Sequence, residues 1–315
     1  MRKTIYKLGH AVLVWLVPAA LVSCQPKELC YDHSHVVEVR VNFDWSECPD
    51  AEPRTMVLQL FTPDGSHCNR YEFGSPKGGV IRVQAGTYRM LFHNGDMENV
   101  VERGTCYDDY EVTTAARALL APIGRGGEQA PPRPDDAQEQ PVRHAPEPVW
   151  CGQCGPVDWF TVPGGEELSV TLVPERATAV YTVDFLHIEN LSSTSNIGAA
   201  VTGLAGSYRP CHGRMGEEAV TIPLDLTRVD DQTLSARFAT FGHCPVGTEK
   251  HTLSIYTAEK WFSHFDVTDQ VHGAADPDNV HIVIDGLRLP DSAGGMDTSV
   301  SDWDDSVIET DINMN

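Results

Sequence analysis

Runs of side chains that alternate in polarity recur along most of the chain, and a chain built this way can bury its apolar residues only as sheets. Val37, Val39, Val41 and Phe43 alternate with Glu38, Arg40, Asn42 and Asp44. Successive strand residues point to opposite faces, so β-branched residues at period two predict a half-buried strand. Trp45 closes it as a core plug. Met56, Leu58 and Leu60, set against Val57, Gln59 and Phe61, predict a more buried strand. Thr62-Pro63-Asp64-Gly65 then supplies a turn, with proline presetting φ and glycine permitting positive φ. Further strands are expected at Tyr71–Phe73, Val80–Val83, Tyr88–His93 and Glu111–Thr113. No amphipathic helix of useful length interrupts them, which indicates an antiparallel β-sandwich over residues 30–120.

Residues 121–149 differ. They hold seven prolines (Pro122, Pro131, Pro132, Pro134, Pro141, Pro146 and Pro148) and almost no large apolar side chains. Such a stretch lacks the burial that would offset its ordering entropy, so a disordered, partly extended insertion is expected. Its composition fits either a linker between domains or a long loop within the first. A second domain is expected from near Trp150: Leu168, Val170 and Leu172 alternate with Ser169, Thr171 and Val173, and Tyr181, Val183 and Phe185 alternate most clearly with Thr182, Asp184 and Leu186. Gly198–Tyr208 mixes small and apolar residues, as suits a strand with a close neighbour. Residues 150–290 therefore read as a second sandwich. In the acidic tail, 291–315, Ile308, Thr310, Ile312 and Met314 alternate with Glu309, Asp311 and Asn313. This predicts a terminal strand at 307–314, pairing either within the molecule or with the open sheet edge of another.

The N-terminus carries Arg2, Lys3 and Lys7, then an apolar run from Ala11 to Val22, then Ser23-Cys24. The run has the length of a signal-peptide core and is short for a bilayer span. A small residue before a cysteine at its end is a bacterial lipobox. The expectation is a leader at 1–23, cleavage before Cys24, lipid on its sulfur and amine, and a tether at 24–29. More than one acyl chain suffices for stable anchoring. Loss of the leader removes three cations and no acid, taking the formal charge from −22 to −25. That excess repels nucleic acid and anionic surfaces. The other eight cysteines divide evenly, four before the Pro-rich stretch and four after it, compatible with pairing inside each domain in an exported protein.

The sequence offers little catalytic chemistry. Cys151-Gly152-Gln153-Cys154 has redox spacing, but Gly155-Pro156 follows where a helix would have to begin. Cys211-His212 and His243-Cys244 could join these cysteines around zinc, but neighbouring residues on a strand point apart, so no metal site is assigned. Asp96 and Asp276-Pro277-Asp278-Asn279 fit turn-forming residues as well as calcium ligands. His33 and His35 read as solvated. Neither a G-x-S-x-G elbow nor an H-E-x-x-H pair is present. The chain is read as a non-enzyme without cofactor.

Several stretches have a familial character: Cys30-Tyr31-Asp32-His33-Ser34-His35, Phe43-Asp44-Trp45, Ile81-Arg82-Val83, Gly86-Thr87-Tyr88 and Asn94–Asn99, then Phe241–Pro245, Phe265–His272 and Val280–Leu287. Together they resemble a Bacteroidales lipoprotein family of unknown function (DUF5119-like). That family is similar to the anchor subunits of Bacteroidales fimbriae, which have two transthyretin-like β-sandwich domains. The resemblance implies a lipid-anchored outer-membrane protein on the cell surface, joined to fimbrial subunits by strand addition. Cys24 would be the lipid site, and Ile308, Thr310, Ile312 and Met314 the candidate donor segment. The alternative is a surface module that binds glycan or host protein through aromatics such as Trp159 or Trp261.

Overall fold

A computed structural model describes residues 36–160, 167–194, 196–245 and 250–290. The leader, the tether with Cys24, His33 and His35, and the tail with Ile308, Thr310, Ile312 and Met314 lie outside the described residues. The first part of the chain supplies β1 (Val36–Phe43), β2 (Met56–Phe61), β3 (His67–Phe73), β4 (Gly78–Gln84), β5 (Gly86–Asn94), β6 (Val100–Arg103), β7 (Glu111–Thr114), β8 (Trp150–Trp159), β9 (Leu168–Leu172) and β10 (Glu175–Arg176). The remainder supplies β11 (Ala179–Leu186), β12 (Ile197–Ala205), β13 (Ser207–Arg209), β14 (Arg214–Met215), β15 (Ala219–Asp225), β16 (Thr227–Arg228), β17 (Leu234–Thr240), β18 (Thr252–Thr257), β19 (Phe262–Asp266) and β20 (Asn279–Asp285). A short helix, Thr268–His272, precedes β20.

These strands build two sandwiches of one topology, as the all-β expectation of tandem domains requires. In the first, β1 lies between β4, antiparallel, and β9, parallel. The facing sheet runs β10-β8-β5-β2-β3 and is antiparallel throughout. In the second, β11 lies between β17, antiparallel, and β20, parallel, opposite a sheet ordered β15-β12-β18-β19. In each sandwich the first strand thus pairs in parallel with a late one, β9 or β20. The alternation read from sequence sets the cores. Val37, Val39, Val41 and Phe43 meet Leu58, Leu60, Met90, Phe92 and Trp159. Tyr181, Val183 and Phe185 meet Val201, Ile222, Ile255 and Ile282.

The domain boundary differs from the expectation. Residues 150–172 do not open the second sandwich. They form β8 and β9, which close the first by pairing with β5 and β1. The second sandwich begins at Ala179, and residues 95–149 are an excursion inside the first. Local pattern cannot reveal this, because β5 and β8 pair across more than fifty residues.

The Pro-rich stretch also departs from the expectation. It is an ordered strap across the outer face of β15-β12-β18-β19. Leu119, Leu120 and Ile123 pack there with Ala200, Tyr256 and Phe262, and Ala130 and Val142 fill the margin. Polar bonds replace the missing apolar bulk. Pro141 O accepts from Thr221 N at 2.9 Å, and Arg143 N donates to Thr221 O at 3.0 Å. Gln140 Oε1 accepts from Gly203 N at 3.0 Å, and Arg133 Nη1 donates to Gln140 O at 2.6 Å. The buried Tyr256 hydroxyl donates to Leu119 O at 2.5 Å. Gly198 lies beneath that ring, where a Cβ would come within 2.6 Å of it. This is the close neighbour anticipated for the small-residue strand.

Gly198→Ala forces the Tyr256 ring off the strap and lowers stability by about 1–3 kcal/mol in denaturant unfolding, the usual cost of overpacking. Trypsin reads the same change. Cleavage after Arg143 is slow in the wild type and fast in the variant; rapid cleavage of the folded wild type contradicts an ordered strap.

Candidate functional site

The two sandwiches meet through their excursions. Residues 95–149 contribute β6 and β7, and residues 206–218 contribute β13 and β14. These form one sheet, β14-β13-β7-β6, in which Ser207 pairs with Thr113 and Tyr208 with Val112. Phe61 and Leu91, on the outer face of the first sandwich, pack with Tyr107, Tyr110, Val112, Ala205, Cys211 and Phe241 in a single core across this junction. Glu111 sits in its middle. Its carboxylate accepts from Ser207 Oγ at 2.5 Å and Arg103 Nε at 2.6 Å, with Arg209 Nε at 3.7 Å. Glu218 joins Arg103 at 3.3 Å and Arg143 at 3.1 Å. Burial works against the Glu111 charge, but the bonds from Ser207 and Arg103 outweigh it and hold its pKa below the usual range.

Beside the junction, Glu102 collects Gln59 Nε2 at 2.7 Å, Arg70 Nη2 at 2.9 Å and His93 Nε2 at 3.3 Å. The Tyr110 hydroxyl lies 3.1 Å from His93 Nε2. These residue types occur in acid–base catalysis, but their environment opposes it. Burial disfavours ionised Glu102, yet His93 and Arg70 pull its pKa down to about 2. Burial pushes the Tyr110 hydroxyl far up. Neither group is poised near neutrality, as a proton-transfer group must be. The neighbouring cleft, of about 640 Å³, is lined by Glu47, Asp50, Glu52, Asp96, Met97, Glu147 and Trp150 and touches neither. Two of its acids are engaged by backbone: Asp96 accepts from Arg54 N, and Glu147 from Glu98 N and Asn99 N.

The remaining sequence candidates separate. Cys151 and Cys154 lie on β8 with no helix after them, and burial pushes both thiols up, opposite to an activated redox pair. Cys48, Cys68, Cys106, Cys151, Cys154 and Cys211 are free thiols. Asp276 accepts from Asp278 N and Asn279 Nδ2 and caps a turn. Trp159 is a core residue, 1% exposed, and so is no binding platform. Trp261 packs against the second core. The sequence reading assigned no metal and missed one grouping. His243, His251 and His272 each offer a ring nitrogen within 4.8 Å of the others, the one such set of three His, Cys or acidic residues among the described residues. The sequence offers His243 as a candidate ligand and His272 only as the end of a familial stretch, and no ligand spacing links either to His251.

Sheet edges are closed unequally. The strap pairs with the edge of β15 through Val142 and Thr221. At β20, the Gln270 carboxamide substitutes for a strand: Nε2 donates to Val283 O at 3.1 Å, and Oε1 accepts from Val283 N at 2.7 Å. β9 ends its sheet and pairs only with β1 among the described residues.

The family model described as Domain of unknown function (DUF5119) matches residues 23–225. The chain belongs to the DUF5119 family. No curated protein shows significant similarity to it. Among solved structures, this DUF5119 member is similar to an adhesin candidate from Bacteroides ovatus, with 16% identity and a TM-score of 0.55 over 86% of this chain and 99% of that one. It is also similar to the fimbrial anchor protein Mfa2 from Porphyromonas gingivalis, with 15% identity and a TM-score of 0.51 over 79% of this chain and 90% of that one. At these identities the likeness establishes the shared two-sandwich fold.

The junction charges make the DUF5119 chain acid-sensitive in a defined sense. A carboxylate with a depressed folded pKa stabilises fully above its ordinary value, about 4.3, and loses that contribution as pH falls through the folded value. Stability measured by urea unfolding therefore declines from about pH 4.5 toward pH 2. Glu111→Gln flattens part of that slope, and Glu111→Ala costs about 2 kcal/mol at neutral pH by leaving the buried Ser207 hydroxyl and Arg103 Nε without their acceptor and Arg209 without its nearby carboxylate. An unchanged slope in Glu111→Gln contradicts this assignment.

Proposed function

We propose that this chain is a non-enzymatic, lipid-anchored protein of the outer-membrane surface that anchors or assembles a fimbria through strand addition. The observation that carries the reading is the fold, two sandwiches spanning nearly the full length of both an adhesin candidate and a fimbrial anchor protein. The lipobox at Cys24 supports attachment by lipid, and fimbrial subunits are the partners it implies. The outer edge of β9, unpaired among the described residues, suits an incoming strand, whose main-chain bonds would supply affinity and whose alternate side chains would supply specificity. The alternating segment Ile308, Thr310, Ile312 and Met314 is the proposed donor or self-capping strand. A second reading, a surface module for glycan or host protein, draws on the cleft beside Trp150.

Two measurements test the proposal. Cys24→Ala shifts the protein from the membrane fraction to the unbound fraction, because without acyl chains nothing else holds it; full membrane retention rules out the lipid anchor. Crosslinking on intact native cells, followed by mass spectrometry, yields a ladder of fimbrial subunits that disappears on deletion of residues 305–315. A ladder that survives the deletion leaves the anchor in place and moves the joint elsewhere. Absence of any polymer partner in fibre-producing cells favours the binding module.

A further inference from the structure

We propose that His243, His251 and His272 form a binding site for one divalent first-row metal ion, with zinc as the reference ion. Three different elements deliver the ligands. His243 follows β17, His251 immediately precedes β18, and His272 ends the short helix before β20. The segment that carries His251 and the helix that carries His272 hold each other in place. His251 N donates to Thr268 Oγ1 at 2.9 Å, Val267 N donates to His251 O at 2.9 Å, and Gln270 holds the helix against β20.

The ring geometry suits a shared ion. Centroids are 4.9 Å apart for His251 and His272, 5.1 Å for His243 and His272, and 6.0 Å for His243 and His251. With zinc–nitrogen bonds of about 2.0–2.1 Å, three imidazoles around a tetrahedral ion place their centroids about 5 Å apart. His251 Nε2 and His272 Nε2 are 3.0 Å apart, close to the separation of about 3.3 Å that such an ion imposes on its ligand atoms.

Two further observations point to a ligand. His251 Nδ1 lies 3.1 Å from Thr202 O. A carbonyl can only accept, so Nδ1 carries the proton and Nε2 presents its lone pair to the other rings. Orientation of a ligating imidazole by a backbone carbonyl on its far nitrogen is the usual arrangement at metal sites. His243 Nδ1 is buried and has no hydrogen-bond partner among the described residues. An orphaned buried ring nitrogen is costly, and coordination by this ring would give it a role. Three neutral imidazoles suit zinc, copper or nickel rather than calcium or magnesium. His251 is fully buried, whereas His272 is exposed. The fourth coordination position therefore opens toward solvent on the His272 side, where water or an external ligand can enter.

The test uses the untagged full chain in detergent, stripped with a chelator and titrated with zinc chloride in a competition assay. One zinc binds per chain. His272→Ala alters an exposed position, so the metal-free unfolding midpoint stays put while affinity falls by at least about 100-fold, the upper end of what loss of even an outer-sphere partner costs. His272→Gln, which keeps length and polarity, gives the same loss and guards against a folding artefact. Cobalt(II) in place of zinc gives visible absorption in the wild type that both variants lack. Absence of stoichiometric zinc from the wild type overturns the proposal, as does undiminished binding in the His272 variants.

Discussion

The backbone pairing of Ser207 and Tyr208 with Thr113 and Val112 is the contact on which the rest of the molecule depends. Neither sandwich supplies this sheet alone. One pair of strands leaves the first sandwich between β5 and β8, the other leaves the second between β12 and β15, and their edges meet. A sheet edge exposes unpaired donors and acceptors, so the two excursions satisfy each other. Glu111 strengthens the joint because its carboxylate is bonded from both sides, by Arg103 from its own excursion and by Ser207 from the other. Once joined, the excursions cover the outer face of the first sandwich and carry the strap onto the outer face of the second. Both large sheets are thereby apolar on both faces, which explains the near-continuous burial along β2, β12 and β18.

The repeated topology makes the differences between the sandwiches informative. Both place a late strand, β9 or β20, parallel to their first, and in both it stands at the edge of its sheet. At β20 the edge is met by Gln270, whose carboxamide makes the two bonds a neighbouring strand would make at Val283. At β9 nothing comparable stands among the described residues. The second sandwich is thus defended against strand addition, with its helix held in place by the same contacts that defend it. The first is the half on which an added strand finds an available ladder. The helix that carries Gln270 also carries His272, so edge protection and the histidine cluster depend on a single turn of structure.

Sequence was informative where the determining pattern is local. The faces of β1 and β11 follow directly from alternation, and the turn residues before β3 are legible without any structure. It was uninformative where pairing crosses long separations. The alternation at Leu168–Leu172 marks a true strand, but that strand belongs to the first sandwich and not the second, since alternation says which face is buried and not which partner buries it. The strap misled for a related reason. Composition measures how much apolar surface a segment owns, whereas Ile123, Ala130 and Val142 gain by joining a cluster that Tyr256 and Phe262 build with Leu119 and Leu120, just upstream of the stretch. Trp159 looks like a ligand platform in a list of residues and is a core residue in space, packed 5.5 Å from Tyr88. The histidine trio has no spacing to detect, because a fold, and not a motif, brings positions 243, 251 and 272 together.

The cations are deployed inward in the same spirit. Arg70, Arg103, Arg117 and Arg143 each bond to carboxylates that belong to other strands or to the opposite sandwich, so much of the positive charge of an acidic chain serves to join its parts. The surface that remains is dominated by Asp and Glu, and a field of that sign gives no attraction toward an anionic membrane or a polyanion. Attachment in the proposed role would then draw on forces indifferent to net charge. In the proposed role, acyl chains on Cys24 would provide one, since their partition depends on buried hydrocarbon. Main-chain pairing along an open sheet edge provides the other, since it draws on groups every residue carries. An acidic two-sandwich body whose β20 edge is covered by Gln270 and whose β9 edge pairs only with β1 among the described residues is physically suited to both.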